Sequence, residues 1–285
     1  MEDVVTFTNV HKAYKDFALK NVSFSVKKGF ITGFIGPNGS GKTTTIKLML
    51  NLLQADSGTI RVFGNEYKTN SKEIKQRIGF VYAEHQLYKH LTVEKMKKVI
   101  APFYSNWDDD VFAYYMQRLN LPWKKKIGHL SKGMGTKLSI AIALSHHAEL
   151  IVLDEPTSAL DPVSRREILD ILAEVIQDEE KAIFFSTHIT TDLEKIADYI
   201  TFIYNGEMVF SEDKETIQEH HFLVRGALDL LDADIRSLFL QVRETSVGFE
   251  GLTNQAEIVR RLMGDHVVME PASLEDIMVY TVGKV

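Results

Sequence analysis

Residues 4 to 35 set short apolar, β-branched and aromatic runs between polar breaks: VVTFTNV, VSFSV and FITGFIG, with KKG between the last two. Runs of that composition bounded by turn residues predict strands. From Thr43 the apolar positions Ile46, Leu48, Met49, Leu50, Leu52 and Leu53 take up helical spacing until QADSG stops it, so a strand, a glycine-rich loop and a helix follow one another. GTIRVFG and IGFVY read as strands. Residues 89 to 147 read as helix with polar interruptions at SNWDDD and LPWKKK, an inserted helical subdomain over about 85–147. ELIVLDEP is a continuous apolar run ending in two acids and a proline, the pattern of a strand buried on both faces. A helix over 162–178 should follow, with Asp161 as N-cap and Pro162 in the first helical position. KAIFFSTH repeats the buried-strand pattern, TTDLEKIADY reads as a helix, and ITFIYNGEMVF as a hairpin turning at NG. Strands alternating with helices imply an α/β fold with a mainly parallel sheet. After residue 212 the pattern changes to a small α/β extension, 213–285, which carries no recognisable chemistry and is expected to be accessory or regulatory.

Composition narrows this picture. With 285 residues, 45% hydrophobic and 25% charged, the chain can bury a sizeable core and is not broadly disordered. A net charge of -6 gives no global basic surface, so nucleic acid is not an expected partner. The absence of cysteine excludes disulfides and thiolate metal sites and fits a reducing compartment. The N-terminus lacks the basic-then-apolar order of a signal peptide. Runs such as SIAIAL and LIVL fall far short of the ~20 residues that span a bilayer, so any membrane connection is expected to come through a partner.

The glycine-rich loop carries the strongest chemistry. GPNGSGKTT, Gly36 to Thr44, fits the strand, G-x-x-x-x-G-K-[ST], helix pattern of a phosphate-binding loop. Gly39 and Gly41 let consecutive N–H groups curl around phosphate oxygens, Asn38 and Ser40 are nucleotide-binding candidates in the same loop, and the helix beginning near Lys42 adds the positive end of its dipole. Lys42 can reach the β- and γ-phosphates, Thr43 suits Mg²⁺ with its hydroxyl, and Thr44 extends the cradle. Asp154 and Glu155 end the next buried strand and would face opposite ways if that strand persisted, which divides their roles. Asp154 is placed to hold Mg²⁺. Glu155 would polarise the attacking water. His188, at the carboxyl end of the following strand, where open α/β sheets bind ligands, would touch the γ-phosphate or that water.

With these motifs in order the chain resembles the ATP-binding cassette (ABC) ATPases, and LSKGMGTKLSIAIAL just before LIVLDEP is the deciding element. The resemblance covers residues 1 to about 212. It implies a P-loop NTPase of ABC type: a mixed, mainly parallel sheet with an antiparallel β subdomain and the helical insertion. It also implies ATP hydrolysis with Mg²⁺ and a second ATPase subunit. Ser131 and Gly133 match the signature that would bind the γ-phosphate held by that second subunit, Asp161 ends the D-loop-like SALD, and Tyr14 matches the aromatic that stacks on adenine. Two departures stand out. Ala83 occupies the place of the family's Q-loop glutamine, so Glu84 is expected to substitute as the metal-side carboxylate. Lys132 and Met134 replace the usual glycine and glutamine of the signature, which keeps its backbone donors and changes its side-chain contacts.

IGFVYAEHQLYKHLTVEKM and the closing PASLEDIMVYTVG resemble ATPase subunits of bacterial exporters whose multi-span permease is a separate chain, moving drugs, antimicrobial peptides or amphipathic toxins of the phenol-soluble modulin type. The resemblance places such a subunit in the cytoplasm, peripheral on the inner face of the cell membrane, with the permease docking near residues 80 to 105. Two other readings are a soluble ABC protein without a transport role and a nucleotide-gated module with little turnover. A single phosphate loop and the absence of sustained heptads oppose the first, and the presence of both Glu155 and His188 opposes the second.

Overall fold

The computed structural model describes residues 2–82 and 87–283, and the chain divides into two compact units, Met1–Ser211 and Glu212–Val285. The first unit runs β1 (Asp3–Ala13), β2 (Ala18–Lys27), β3 (Ile31–Ile35), α1 (Lys42–Met49), β4 (Ser57–Val62), α2 (Tyr67–Gln76) and β5 (Ile78–Val81). It continues with α3 (Val93–Ile100), α4 (Asp109–Arg118), α5 (Lys132–Leu144), β6 (Leu150–Asp154), α6 (Pro162–Val175), β7 (Ala182–Thr187), α7 (Thr190–Ile196), β8 (Tyr199–Tyr204) and β9 (Glu207–Asp213).

A six-stranded sheet in the order β5-β6-β7-β3-β8-β9 forms the centre. Strands β5, β6, β7, β3 and β8 are mutually parallel, and β9 joins through a two-residue turn, Asn205 and Gly206, both at positive φ. That turn conformation matches the twist of adjacent antiparallel strands. Every residue of β3, β6 and β7 is buried, as expected of central strands covered on both faces. An antiparallel sheet, β2-β1-β4, packs on this core through a run of aromatic rings. Phe7 stacks on Phe24 at 4.6 Å, and Phe24 meets Phe34 at 5.6 Å and Phe184 at 5.8 Å. These rings tie β1 and β2 to β3 and β7, the two strands whose carboxyl ends carry Gly36 and His188. Burying such rings and stacking them contributes about 0.5–1.5 kcal/mol per pair beyond area.

The helices between β5 and β6 start at side-chain caps, and one of these, Asp108, comes from the polar interruption SNWDDD. Thr92, Asp108 and Ser131 each accept from backbone N–H groups in the first turn of α3, α4 and α5, satisfying donors that a helix start leaves open. Helix α2 has no counterpart in the sequence reading, because Ile74 is its one buried residue and a helix so polar shows no apolar period. Helix α6 ends at Val175, three residues before the expected limit.

In the second unit, α8 (Lys214–His220), β10 (Phe222–Gly226), α9 (Ala233–Arg236), β11 (Gln241–Thr245), β12 (Gly248–Thr253), α10 (Ala256–Met263), β13 (Val267–Pro271) and α11 (Leu274–Val282) build an antiparallel sheet ordered β11-β12-β10-β13. Val224, Phe239, Phe249, Val259 and Met263 form its core. Arg225 bonds Glu250 at 2.6 Å and Glu270 at 2.9 Å across the sheet.

Candidate functional site

The strand order brings β6, β7 and β3 side by side, so the residues that follow their carboxyl ends converge, Lys42 and Glu155 among them although more than a hundred positions separate the two in sequence. The loop after β3 lines a cleft of about 530 Å³ with Asp16, Phe17, Asn38, Gly39, Gly41, Lys42, Thr43, Thr44 and Glu155. Its shape depends on missing Cβ atoms. One at Gly36 would lie 2.4 Å from the Ile203 carbonyl oxygen and 2.5 Å from Ser40 Oγ, and one at Gly41, where φ is 115°, would lie 2.5 Å from a Leu19 methyl. Side chains at either place would displace backbone or core. Ser40 Oγ is itself buried and has no hydrogen-bond partner among the described residues.

Lys42 is 6% exposed, and its ammonium donates to the carbonyl oxygens of Gly36 at 2.8 Å and Pro37 at 3.3 Å and lies 3.5 Å from Glu155 Oε1. Thr43 donates to Asp154 Oδ2 at 3.2 Å, and Ser186 donates to Asp154 Oδ1 at 2.7 Å. Glu155 Oε2 meets His188 Nδ1 at 2.8 Å and the His188 N–H at 3.4 Å. The strand does not persist through Glu155. It stops at Asp154, and Glu155 sits at φ 50° with its N–H bonded to the Ser186 carbonyl oxygen at 3.0 Å. The left-handed turn, rather than strand alternation, separates the two carboxylates: Asp154 faces Thr43 and Ser186, and Glu155 faces Lys42 and His188. Positive φ in a non-glycine residue at such a place is backbone strain of about 1–3 kcal/mol held by its surroundings.

Burial at 4% exposure raises the Asp154 pKa above the usual carboxylate range. The Ser186 and Thr43 hydrogen bonds oppose that rise, Glu155 adds to it, and Lys42 opposes it. The raised direction means that ionised Asp154 weakens the fold as pH rises from the unfolded value, about 3.9, through the higher folded value. Asp154→Asn is therefore expected to raise the melting temperature at neutral pH by a few degrees, about 1 kcal/mol, while removing Mg²⁺-dependent turnover. Thermal unfolding and phosphate release on one preparation test this; a lower melting temperature would show that the carboxylate is needed structurally.

Whether Mg²⁺ suits these residues can be judged from the donor set. Thr43 Oγ1 and the Asp154 carboxylate are hard oxygens within 3.2 Å of each other, and the described residues contain no cluster of three or more His, Cys, Asp or Glu able to cage a metal alone. Mg²⁺ keeps several waters and shares substrate phosphates, so one or two protein oxygens suffice. The residues fit.

Of the other expected residues, Tyr14 sits beside the cleft, and Ser131, Gly133 and Asp161 are not among the residues that line it. Tyr14 is 45% exposed with its ring 6.5 Å from Phe17, and Phe17 is the ring that lines the cleft. Ser131 caps α5 through a bond from Met134 N–H. Gly133 faces Leu160, whose methyl would lie 3.0 Å from an added Cβ. Asp161 caps α6 by accepting from Val163 and Ser164 N–H at 3.0 Å each; the Ser164 backbone bond leads the causes that lower its pKa. Gly133 and the Ala159–Leu160 segment thus form a second locus, outside the cleft. Glu84 and Ala83 lie outside the described residues. Ser186 and Phe17 were missed. Strand alternation could have found Ser186, two residues before His188 and paired in register with Asp154. Phe17 carried no signal beyond its closeness to Tyr14.

The ABC transporter family model matches residues 19–158. The bacitracin transport ATP-binding protein BcrA of Bacillus licheniformis is 35% identical over 214 residues, covering 73% of this chain and 69% of that one. The lantibiotic transport ATP-binding protein SrtF of Streptococcus pyogenes is 33% identical over 208 residues, covering 72% and 89%. Among solved structures, a dimeric post-hydrolysis state of the ATP-binding cassette MJ0796, bound to ADP and Pi, superposes with a TM-score of 0.66 at 24% identity over 73% of this chain and 98% of that one.

Proposed function

The chain belongs to the family of ABC transporter ATP-binding proteins, and from that premise we propose that it is the ATP-hydrolysing subunit of an exporter of antimicrobial peptides or related amphipathic compounds, working with a separate membrane permease. The observation that carries the hydrolytic part is the Lys42, Glu155 and His188 constellation at the mouth of the glycine loop. The relatives' names support the cargo class. No helix among the described residues is long and apolar enough to cross a membrane, so the transport path would belong to a partner chain.

Within the cleft the backbone N–H groups of residues 38–44 would bind the triphosphate, with Lys42 turning from Gly36 and Pro37 to the β- and γ-phosphates. Thr43 and Asp154 would hold Mg²⁺, which neutralises phosphate charge when bound. Glu155 would orient and partly deprotonate the attacking water. His188, bonded to Glu155, would fix that carboxylate and contact the γ-phosphate. Phe17 and Tyr14 would stack on the base, about 1–3 kcal/mol by analogy with aromatic stacking on nucleotides. Ser131 and Gly133, at a helix start outside the cleft, would complete the site of a second copy, with Asp161 ending the connecting loop. That the similar MJ0796 cassette forms a dimer supports the pairing of two copies.

Phosphate release from ATP, with and without Mg²⁺ and with and without permease-containing membranes, tests the proposal. Mg²⁺-dependent release that rises when the permease is present is the expected result. Release that is absent in both conditions, although ATP binds, would assign the chain to a nucleotide-gated role.

A further inference from the structure

Two segments of the first unit lie side by side through backbone bonds. Val93 and Glu94 N–H donate to Lys125 and Trp123, and Ile127 and Gly128 N–H donate to Leu91 and Lys89; Thr92 bridges to Lys126. Residues 87–98 and 123–129 together hold seven lysines against one acid, Glu94, and contain no arginine. Lys97 is taken by Asp109 at 2.7 Å and Lys98 by Glu94 at 3.0 Å. Lys89, Lys95, Lys124, Lys125 and Lys126 are exposed and enter no ion pair among the described residues. In a chain of net charge -6, this concentration gives one face a sign opposite to that of the whole.

Two aromatic side chains border it. Tyr88 is 56% exposed, and Trp123 is held by an edge contact with buried Phe112 at 5.5 Å yet still reaches solvent. Like charges pressed together repel one another and weaken the fold, so a surface of this kind calls for an anionic counterpart.

We infer that this face binds the anionic headgroups of a phospholipid surface directly. Lysine ammoniums are hydrated point charges suited to a diffuse field of headgroup phosphates, whereas recognition of nucleic acid or of a carboxylate-bearing peptide favours the arginine fork. Tyrosine and tryptophan are the side chains that settle at a membrane interface, apolar body inward and polar edge outward. The face would set the orientation of the subunit against the leaflet, beside the segment 80 to 105 where the permease is expected to dock.

The test is sedimentation of the full chain with vesicles of phosphatidylcholine containing phosphatidylglycerol, against pure phosphatidylcholine vesicles, without permease. Failure here leaves the ATPase reading untouched, because neither nucleotide nor permease is involved. Binding to the anionic vesicles alone, weakening with salt, is expected. The variant Lys124→Gln/Lys125→Gln/Lys126→Gln should lose about fivefold per lysine, roughly 100-fold in all, with unchanged melting temperature and basal ATPase. A control with the same net charge, Lys68→Gln/Lys72→Gln/Lys75→Gln on α2, should bind like the parent. The inference is overturned if the parent does not sediment with anionic vesicles, if both triple variants lose equally, or if single-stranded RNA displaces the protein from the vesicles at equal phosphate concentration.

Discussion

Replacing Glu155 with glutamine is expected to lower kcat for ATP hydrolysis by about 10²- to 10⁴-fold, the usual contribution of a positioned general base, with little change in nucleotide affinity. Glutamine keeps the length of the side chain and its oxygen acceptor for the His188 N–H, now 3.4 Å from Glu155 Oε2. It removes the negative charge that can draw a proton from water. Glutamine also tolerates the positive φ of 50° at this position no worse than glutamate, since neither is β-branched. The changed quantity should therefore be turnover. Calorimetric ATP binding beside phosphate release separates the two, and a loss of turnover below tenfold would assign the base to another group. A protein that retains ATP without splitting it should also accumulate in its associated form. Elution as a dimer with ATP and Mg²⁺, reverting with ADP, is the second readout.

The sequence made some parts of this site legible and hid others for physical reasons. Gly36 to Thr44 could be read because backbone chemistry that needs absent Cβ atoms leaves a mark in residue type. Strands β3, β6 and β7 could be read because burial on both faces demands an unbroken apolar run. Periodicity says nothing about how a strand ends, so the left-handed turn at Glu155 was invisible: the two carboxylates are separated as expected, but by that turn and not by strand alternation. The resemblance pointed to Tyr14, but exposure and ring position depend on how β1 and β2 pair, and Phe17 is the ring at the cleft. The polar helix α2 was lost because helices held by a single buried side chain carry no period. The pairing of segments 87–98 and 123–129 is a tertiary fact: the lysines were visible, whereas their concentration on one face was not.

A second large effect should come from a residue with no contact to nucleotide. Arg165 in α6 donates through Nε to Asp192 at 2.5 Å and through Nη2 to Thr191 Oγ1 at 3.0 Å in α7. The Asp192 side chain is 0% exposed, and its second oxygen, Oδ2, has no hydrogen-bond partner among the described residues. Its place in the first turn of α7 gives it some help from the helix N-terminus, but the guanidinium is its counter-ion. Arg165→Ala therefore leaves a buried carboxylate uncompensated, which costs about 3–5 kcal/mol and lowers the melting temperature by roughly 6–20 °C. The same change loosens α6, which Asp161 starts, from α7, which begins two residues after His188, so kcat should fall while ATP affinity holds. Adding Asp192→Asn to Arg165→Ala should recover much of the stability, because the stranded charge is gone. The double variant should not recover the full rate, because the tie between the helices is still missing. If the single variant melts within about 1 kcal/mol of the parent, or if the second substitution lowers stability further, then water already screens Asp192 and the pair does not govern how the two helices are held.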